Sequence, residues 1–122
     1  MLASPASATA AILGLDAKTE GAWVGHYGSE GYNLANQVAK LPGYAQLTVS
    51  TLPDTAISST GDPRVLKIRG KSTGPWTNWA TLSSFSIDLS LADKLPHKVS
   101  LYALDYYNGG WRQRITIKDA NS

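Results

Sequence analysis

The chain has 122 residues and a mass of 13.0 kDa, which is enough for one domain with a buried core and too little for two. Its net charge is +2, from 11 basic and 9 acidic residues, and neither sign is concentrated as in a nucleic-acid-binding tract or a membrane-surface patch. The lack of cysteine excludes disulfides, cysteine-ligated zinc and a thiol nucleophile, and no apolar run approaches the roughly 18 residues of a membrane span.

The first ten residues, MLASPASATA, have the Ala, Ser, Pro and Thr composition of a linker. They contain neither a basic region nor a sustained apolar region, so they do not form an intact signal peptide. An initiator methionine joined directly to linker sequence suggests a module taken from a longer protein. We therefore predict a linker remnant over residues 1–10 and a single module over residues 11–122.

The first half of the module is predicted to contain short strands and one helical turn. Residues 33–40, NLANQVAK, could form a helical turn, which is too short to be an architectural element. AQLTVS (residues 45–50) and RVLKIRG (residues 64–70) alternate apolar and polar side chains. This alternation is typical of strands that bury one face.

Residues 84–91 are predicted to form a strand with strict alternation. Their sequence is SFSIDLSL, in which Phe85, Ile87 and Leu89 share one face, while serine and aspartate share the other. We expect this strand to be buried on one side only.

The last two predicted strands flank a glycine turn. KVSLYALDYY (residues 98–107) is apolar on both faces and should be central in its sheet, whereas WRQRITIKD (residues 111–119) should direct Ile115 and Ile117 inward. Breakers such as LPGY, TGDPR and YNGG separate nearly all of the predicted strands. Seven or more short strands without intervening helices predict an all-β fold, an antiparallel β-sandwich of two sheets.

The chain has four tryptophans, more than a core of this size usually buries. Trp23 lies between apolar neighbours in an apparent strand and is expected to be structural. Trp76 follows Pro75 and has small polar neighbours, which predicts an exposed ring. Trp79 leads into apolar residues, and its surroundings fit either a buried or an exposed ring.

Trp111 immediately follows the turn dipeptide Gly109 and Gly110. A two-residue hairpin loop would pair Asn108 with Trp111, whereas a three-residue loop would pair Tyr107 with Trp111. The sequence does not choose between these two registers. In either register Trp111 stands at a strand end beside polar neighbours, where a flat ring can be presented to a ligand.

Exposed rings on a nearly neutral polar surface are suited to binding sugars. Charged residues make up 16% of the chain, against roughly a quarter in typical domains. The apolar face of a pyranose lies against an aromatic ring through dispersion and weak C–H contacts, and its hydroxyls need short side chains that donate and accept hydrogen bonds. The predicted carbohydrate-binding residues are Trp76, Trp79, Trp111, Asn78 and Gln113, with Thr77 and Tyr107 as further candidates for the hydroxyl contacts.

A family resemblance is carried by EGAWVGHYGSEGYN (20–33), PGYAQ (42–46), DPRVL (62–66), the segment around Trp79, SFSIDL (84–89), HKVSLYALDYY (97–107) and ITIKDA (115–120). With this pattern, over residues 14–121, the chain resembles a bacterial β-sandwich domain that is appended to secreted polysaccharide-degrading enzymes. Among carbohydrate-binding modules it is similar to family 81, whose members are linked to endoglucanases and bind cellulose and β-glucans.

The resemblance separates scaffold residues from candidate binding residues. The run around residues 20–33 belongs to the scaffold, which implies that Trp23, Tyr27 and Tyr32 are structural. The scaffold pattern has an aromatic residue near Trp79 but none at the two other candidate positions. Those departures, Trp76 and Trp111, are therefore the best candidates for an acquired function.

The sequence offers no catalytic constellation. A hydrolase needs a carboxylate pair or a nucleophile with its base. Glu20 and Glu30 lie beside glycine turns, and neither His26 nor His97 has a sequence partner that suggests a triad. We predict that the protein is not an enzyme and that both histidines have surface or structural roles.

The aspartates raise the question of a structural calcium ion. No spaced carboxylate loop of the calcium-binding type is present, so we expect turn and cap roles for these residues and no cofactor, with structural calcium as the open alternative. The aspartates considered for such a site are Asp16, Asp62, Asp105 and Asp119.

These observations predict a non-catalytic carbohydrate-binding module for β-linked glucans, including cellulose, cello-oligosaccharides, mixed-linkage β-glucan and xyloglucan. The resemblance implies that its partners are the polysaccharide and a covalently linked glycoside hydrolase that it targets to plant cell wall, in a secreted bacterial protein. We expect neither nucleic acid nor a membrane as a partner. The alternative is a protein-interaction or spacer module of a bacterial surface protein, in which exposed aromatic residues meet a protein.

Overall fold

The computed structural model describes residues 10–54 and 58–119, and these contain six short β-strands and no helix. Each strand pairs antiparallel with one partner, which gives three two-stranded sheets. The all-β antiparallel class is therefore confirmed, and the predicted linker lies outside the described residues except for Ala10. The strands are β1 (Tyr32–Asn33), β2 (Ala39–Lys40), β3 (Ala45–Val49), β4 (Ser59–Thr60), β5 (Gly74–Pro75) and β6 (Ile87–Leu91).

The longest sheet joins β3 to β6, in a register that runs from Ala45 opposite Leu91 to Val49 opposite Ile87. Alternate residues of β3 are half-buried and the residues between them are exposed, as the sequence predicts for a strand with one buried face. Strand β6 begins three residues later than the predicted segment. Phe85, which precedes it, and Ile87, its first residue, are each 39% exposed, so Leu89 alone of the three side chains predicted to share the buried face is half-buried.

Residues 33–40 form a hairpin rather than the predicted helical turn. Tyr32 pairs with Lys40 and Asn33 pairs with Ala39, so this segment supplies β1 and β2. Asn36 has a φ of 53°, in the left-handed region that asparagine tolerates better than most residues. This conformation reverses the chain before a helical turn can propagate, and the helical prediction is wrong.

The predicted strand over residues 64–70 is also wrong, because its backbone groups bond to turns. The amide of Val65 donates to the carbonyl of Asp62 at 3.1 Å, and the amide of Lys67 donates to the carbonyl of Gly21 at 3.1 Å. The segment therefore crosses the residues around Gly21 instead of extending beside another strand.

Residues 98–107 and 111–119 form no strand, contrary to the prediction for both segments. The side chains of Ile115 and Ile117, expected to point inward, are 54% and 51% exposed. Strand propensity alone does not order such segments, because a two-stranded hairpin without an opposing layer is only marginally stable in water.

The best-buried part of the described chain surrounds Trp23, which is 5% exposed. Its ring packs against Tyr32 with a centroid separation of 4.9 Å, and its indole Nε1–H donates to the carbonyl of Lys67 at 2.8 Å. Gly28 has a φ of 68°, and a Cβ added there would lie 2.8 Å from Trp23 Cζ3. The predicted structural role of Trp23 is therefore confirmed. In the same part of the chain, residues 10–54 and 58–119, no helix has the length and hydropathy of a membrane span.

Candidate functional site

The loop from Asp105 to Trp111, called the 105–111 loop below, contains the most exposed tryptophan and two tyrosines. The amide of Asn108 donates to the carbonyl of Asp105 at 3.1 Å and closes a turn. Asn108 and Gly110 have φ values of 53° and 74°, so both adopt the left-handed conformation typical of turns. Neither predicted hairpin register is formed, because the flanking segments do not pair as strands.

The carboxylate of Asp105 holds the second half of this loop. Its Oδ1 accepts a hydrogen bond from the amide of Gly109 at 3.0 Å, and its Oδ2 accepts from the amides of Gly110 at 2.8 Å and Trp111 at 3.2 Å. Hydrogen bonds to a carboxylate are stronger than those between neutral groups. One side chain therefore fixes three consecutive backbone amides, the last of which belongs to Trp111.

The Trp111 ring is 76% exposed, which confirms the expected presentation of this residue at the surface. A Cβ added to Gly109 would lie 2.8 Å from Nε1 and 3.0 Å from Cδ1 of Trp111. The indole therefore packs directly on Gly109, and a side chain at that position would displace the ring.

A concavity of about 270 Å³ lies beside the Trp111 ring. Trp111 and Gln113, two predicted site residues, line it together with Asp105 and three apolar residues. A flat ring and an amide that donates and accepts are suited to a neutral polyhydroxylated ligand, whereas the Asp105 carboxylate is already engaged by three backbone amides. The lining residues are Ala103, Leu104, Asp105, Trp111, Gln113 and Ile115.

Trp76 packs against the same loop and is half-buried rather than exposed. Its ring centroid lies 5.0 Å from that of Tyr106 at an interplanar angle of 41°, and 5.1 Å from that of Tyr107 at 83°. The two tyrosine rings lie 5.2 Å apart, edge to face. Trp76, Tyr106 and Tyr107 are called the aromatic cluster below. The two tyrosines account for part of the burial of Trp76, so the ring is half-buried where the sequence predicted an exposed one.

Arg64 connects the aromatic cluster to the buried region around Trp23. Its guanidinium carbon lies 5.2 Å from the ring centroid of Tyr106, and its NH1 group donates to the carbonyl of Tyr106 at 3.2 Å. The Tyr102 hydroxyl donates to the carbonyl of Arg64. Since Val65 next to it is buried, the loop is tied to the core through Arg64.

Trp79 and Asn78 are held by a different part of the chain. Trp79 is half-buried and forms a backbone bridge with Pro53, while the carbonyl of Asn78 accepts a hydrogen bond from the amide of Asp54 at 2.9 Å. The Thr77 hydroxyl donates to the carbonyl of Ala35 at 2.5 Å, so it is already engaged. The structure thus places Trp111 and Gln113 on one concavity and packs Trp76 against Tyr106 and Tyr107 of the 105–111 loop, while Asn78 and Trp79 are held by other contacts.

Sequence reasoning did not select Asp105 as a site residue, and it treated Tyr107 only as a possible hydroxyl donor. Tyr107 is 70% exposed and lies in the loop that also carries Trp111. The signal available in the sequence was DYYNGG, in which an aspartate precedes a turn with asparagine and two glycines. Aspartate side chains commonly bind backbone amides in such turns.

Two of the other aspartates considered for calcium, Asp16 and Asp62, also bind backbone amides. Asp16 accepts from the amide of Lys18 at 2.8 Å, and Asp62 accepts from the amide of Arg64 at 2.9 Å. The Arg64 side chain, hydrogen-bonded to Asp62, lowers the pKa of that carboxyl from 3.8 to about 2. The predicted turn and cap roles are confirmed for Asp16, Asp62 and Asp105. The residues described by the structure contain no group of three acidic or histidine side chains arranged to hold a metal ion.

His97 has a structural environment, as predicted. Its Nε2 lies 2.7 Å from Oδ2 of Asp93, its Nδ1 lies 3.2 Å from Oε2 of Glu30, and its ring stacks on Tyr44 at 4.9 Å. The Tyr44 hydroxyl donates to Glu30, which raises the pKa of Tyr44 to about 12. These contacts join the segment after β6 to the residue before β3, while His26 is exposed at the surface.

Comparison of the chain with known protein families, with curated proteins and with solved structures found no match.

Proposed function

We propose that this protein is a non-catalytic carbohydrate-binding module for β-linked glucans. The single observation that carries the proposal is the exposed Trp111 ring beside a concavity that also contains Gln113 and Asp105. A ring that is 76% exposed contributes little to the core, so its presence on a structured loop favours a role in binding.

The chemistry of the concavity fits a sugar better than a charged ligand. A pyranose with equatorial hydroxyls has an apolar face of axial C–H groups that stacks on Trp111, and its hydroxyls meet the Gln113 amide at the edge of the ring. With a net charge of +2 and 16% charged residues, the protein has no strong field to attract an ion.

We extend the predicted site by one residue, Tyr107. It is exposed on the same loop as Trp111, and its ring packs edge to face against Trp76 of the aromatic cluster. In this arrangement Trp111 and Tyr107 contact the sugar chain, whereas Trp76 supports Tyr107. Asn78 and Trp79 remain in the proposed site as contacts for a more distant sugar of the same chain.

For the architecture, we propose that the three small sheets are parts of an antiparallel β-sandwich of two layers. The support is the half-buried apolar face of β3 and β6, because such a face needs an opposing layer to cover it. Slow amide exchange confined to β3 and β6, with fast exchange at every other strand, would argue against two layers.

We also propose the cellular role that this binding would serve. The module would be secreted by a bacterium as part of a longer protein, and it would hold an attached glycoside hydrolase on plant cell wall polysaccharide. The linker-like composition of residues 1–10 supports this role, because such segments commonly join binding modules to catalytic domains.

Affinity electrophoresis tests the binding proposal directly. The protein is run through gels that contain barley β-glucan, xyloglucan or no polysaccharide, and parallel samples are incubated with insoluble cellulose. We expect retardation or retention with at least one β-glucan and loss of this effect in Trp111→Ala. Unchanged mobility in every gel, together with no retention on cellulose, would contradict the proposal.

A second candidate function is a protein-interaction or spacer module. It is favoured by the exposed apolar side chains of residues 98–117, among them Val99, Leu101, Ile115 and Ile117, which are each more than half exposed. Because protein interfaces are centred on such apolar residues, substitution of Leu101 and Ile117 by serine should weaken a protein contact and leave glucan binding unchanged. The same gels distinguish the two functions.

A further inference from the structure

We infer that Asp105 is a positioning residue for the carbohydrate site: it holds the 105–111 loop so that the Trp111 ring is fixed before a ligand arrives. This inference rests on the proposed function, because it concerns the ring on which we place the sugar. The residue pattern of the site does not assign this role, since an aspartate in a turn commonly accepts hydrogen bonds only from backbone amides of its own loop.

The first support is the distribution of hydrogen bonds on the carboxylate. Asp105 accepts from the amides of Gly109, Gly110 and Trp111 at 2.8 to 3.2 Å, and its own carbonyl accepts from Asn108. The loop has no strand ladder on either side. Within the described residues, the carboxylate therefore takes the place that ladder hydrogen bonds have in a regular hairpin.

The second support is the position of the ring over the loop. The indole of Trp111 lies against Gly109, whose amide is held by Oδ1 of Asp105, while the amide of Trp111 itself is held by Oδ2. The carboxylate thus fixes both the backbone that carries the ring and the surface on which the ring rests. Asp105 also forms part of the concavity wall, so any loss of loop geometry changes the shape of the site.

The physical consequence is preorganisation. Ordering a mobile backbone and a large side chain on binding lowers affinity, and a ring that is already ordered avoids this loss. When the carboxylate is removed, the ring keeps its stacking surface but must be ordered by the ligand. We expect an affinity loss of about five- to tenfold, with little change in thermal stability because the loop is exposed.

The test compares Asp105→Asn and Asp105→Ala with wild-type protein and with Asp88→Asn, which removes one carboxylate from an exposed position in β6. Asparagine keeps one acceptor oxygen and replaces the other with an NH₂ group that faces backbone amides, whereas alanine keeps none. Glucan affinity should therefore decrease in the order wild type, Asp105→Asn, Asp105→Ala. Asp88→Asn should bind like the wild type.

A second measurement separates positioning from general destabilisation. The four indole N–H signals are recorded by nuclear magnetic resonance, the Trp111 signal is assigned by its loss in Trp111→Phe, and the heteronuclear NOE of each is measured. In the Asp105 variants the NOE of Trp111 should fall while that of Trp23, bound to the Lys67 carbonyl, stays constant. A role limited to stability would move the melting temperature without this selective change.

A third variant keeps the carboxylate and displaces the ring. In Gly109→Ala the added Cβ would lie 2.8 Å from Trp111 Nε1, so the indole must move aside, and glucan affinity should fall while the Asp105 hydrogen bonds remain. If the wild type binds glucan and both Asp105 variants keep its affinity and its Trp111 NOE, the inference is wrong whatever Gly109→Ala does, and the proposed function stands. If the wild type binds no glucan, the proposed function fails and this inference fails with it.

Discussion

Trp23 and Trp111 are the same residue type in opposite environments, and their difference separates scaffold from site. Trp23 is 5% exposed and Trp111 is 76% exposed. The indole N–H of Trp23 donates to the carbonyl of Lys67, and its ring packs against Tyr32. At Trp111 the protein instead fixes the backbone, through Asp105, and leaves the ring at the surface.

The comparison shows how a tryptophan can be assigned a role from the hydrogen bond of its indole N–H and from the residues that pack against its ring. A buried indole requires a hydrogen-bond acceptor, and Trp23 has one. An exposed indole N–H can bond to water and needs no acceptor in the protein. The contacts around Trp111 instead fix the orientation of its ring. Trp76 is intermediate, since it is half-buried and packs on two tyrosines of the loop.

The largest expected effect is that of Trp23→Ala on stability. Removal of a buried tryptophan side chain typically costs about 3 to 5 kcal/mol, a large part of the roughly 5 to 15 kcal/mol that stabilises a domain. Urea unfolding should show a much lower midpoint for this variant or no folded baseline. Trp111→Ala is the matched control, and a midpoint for Trp23→Ala equal to that of the control would remove the distinction between the two residues.

Trp76→Ala should affect both stability and binding. It removes the ring packed on Tyr106 and Tyr107, so we expect a loss of about 1 to 2 kcal/mol in unfolding free energy. Glucan affinity should also fall, because Tyr107 loses its support. Tyr106→Phe keeps a ring in the aromatic cluster and serves as the control. Full affinity in a destabilised but folded Trp76→Ala would place Trp76 with Trp23 as scaffold.

A smaller effect is expected for acid on stability, through the pair of Asp62 and Arg64. Arg64 is the residue that connects the 105–111 loop to the core. The hydrogen bond from Arg64 lowers the pKa of Asp62 from 3.8 to about 2, so the charged carboxylate is favoured in the folded state. This contribution to stability is present above about pH 4 and is lost as the pH falls towards 2. In urea unfolding at a series of pH values, Asp62→Asn should lose less stability over that interval than the wild type.

Asp88→Asn, exposed on β6, is the control for that series and should keep the acid dependence of the wild type. An acid dependence in Asp62→Asn that equals the wild-type curve would show that the pair of Asp62 and Arg64 does not contribute to the pH dependence of stability.

The smallest effect should be that of salt on glucan binding. A neutral sugar has no charge for counterions to screen, so affinity should change by less than about twofold between low and high ionic strength. Arg112 and Arg114 flank the proposed Gln113 contact, which makes the measurement informative about their role. A steep decrease with added salt would indicate that these side chains bind an anionic ligand beside Trp111.

The parts of the fold that could be predicted from sequence are those in which an alternating segment also has a second strand to pair with. Apolar and polar residues alternate in β3 and β6, and the two strands pair in an antiparallel register. Residues 111–119 alternate equally well but form no strand, because alternation does not specify a partner. The hairpin of β1 and β2 depends on the left-handed conformation of Asn36, which competes with a helical reading of the same residues.

The candidate site could be predicted to a similar extent. The exposure of Trp111 follows from the Gly-Gly turn that precedes it, and Gln113 lies two residues further along the same segment. The packing of Trp76 on Tyr106 and Tyr107 joins residues 30 and 31 positions apart, and no local pattern reports such a contact. The role of Asp105 also depends on a loop conformation that the sequence leaves open between two hairpin registers.

The central claim is that Trp111 binds sugar and does not stabilise the fold, and calorimetric titration of wild type and Trp111→Ala with a soluble cello-oligosaccharide tests it most directly. Loss of a central aromatic contact typically costs about 2 kcal/mol or more, so we expect an affinity decrease of about thirtyfold or greater. The urea midpoints of the two proteins should agree, because the ring is 76% exposed. Equal affinity of the two proteins, or a loss that appears only as Trp111→Ala unfolds, would contradict the account.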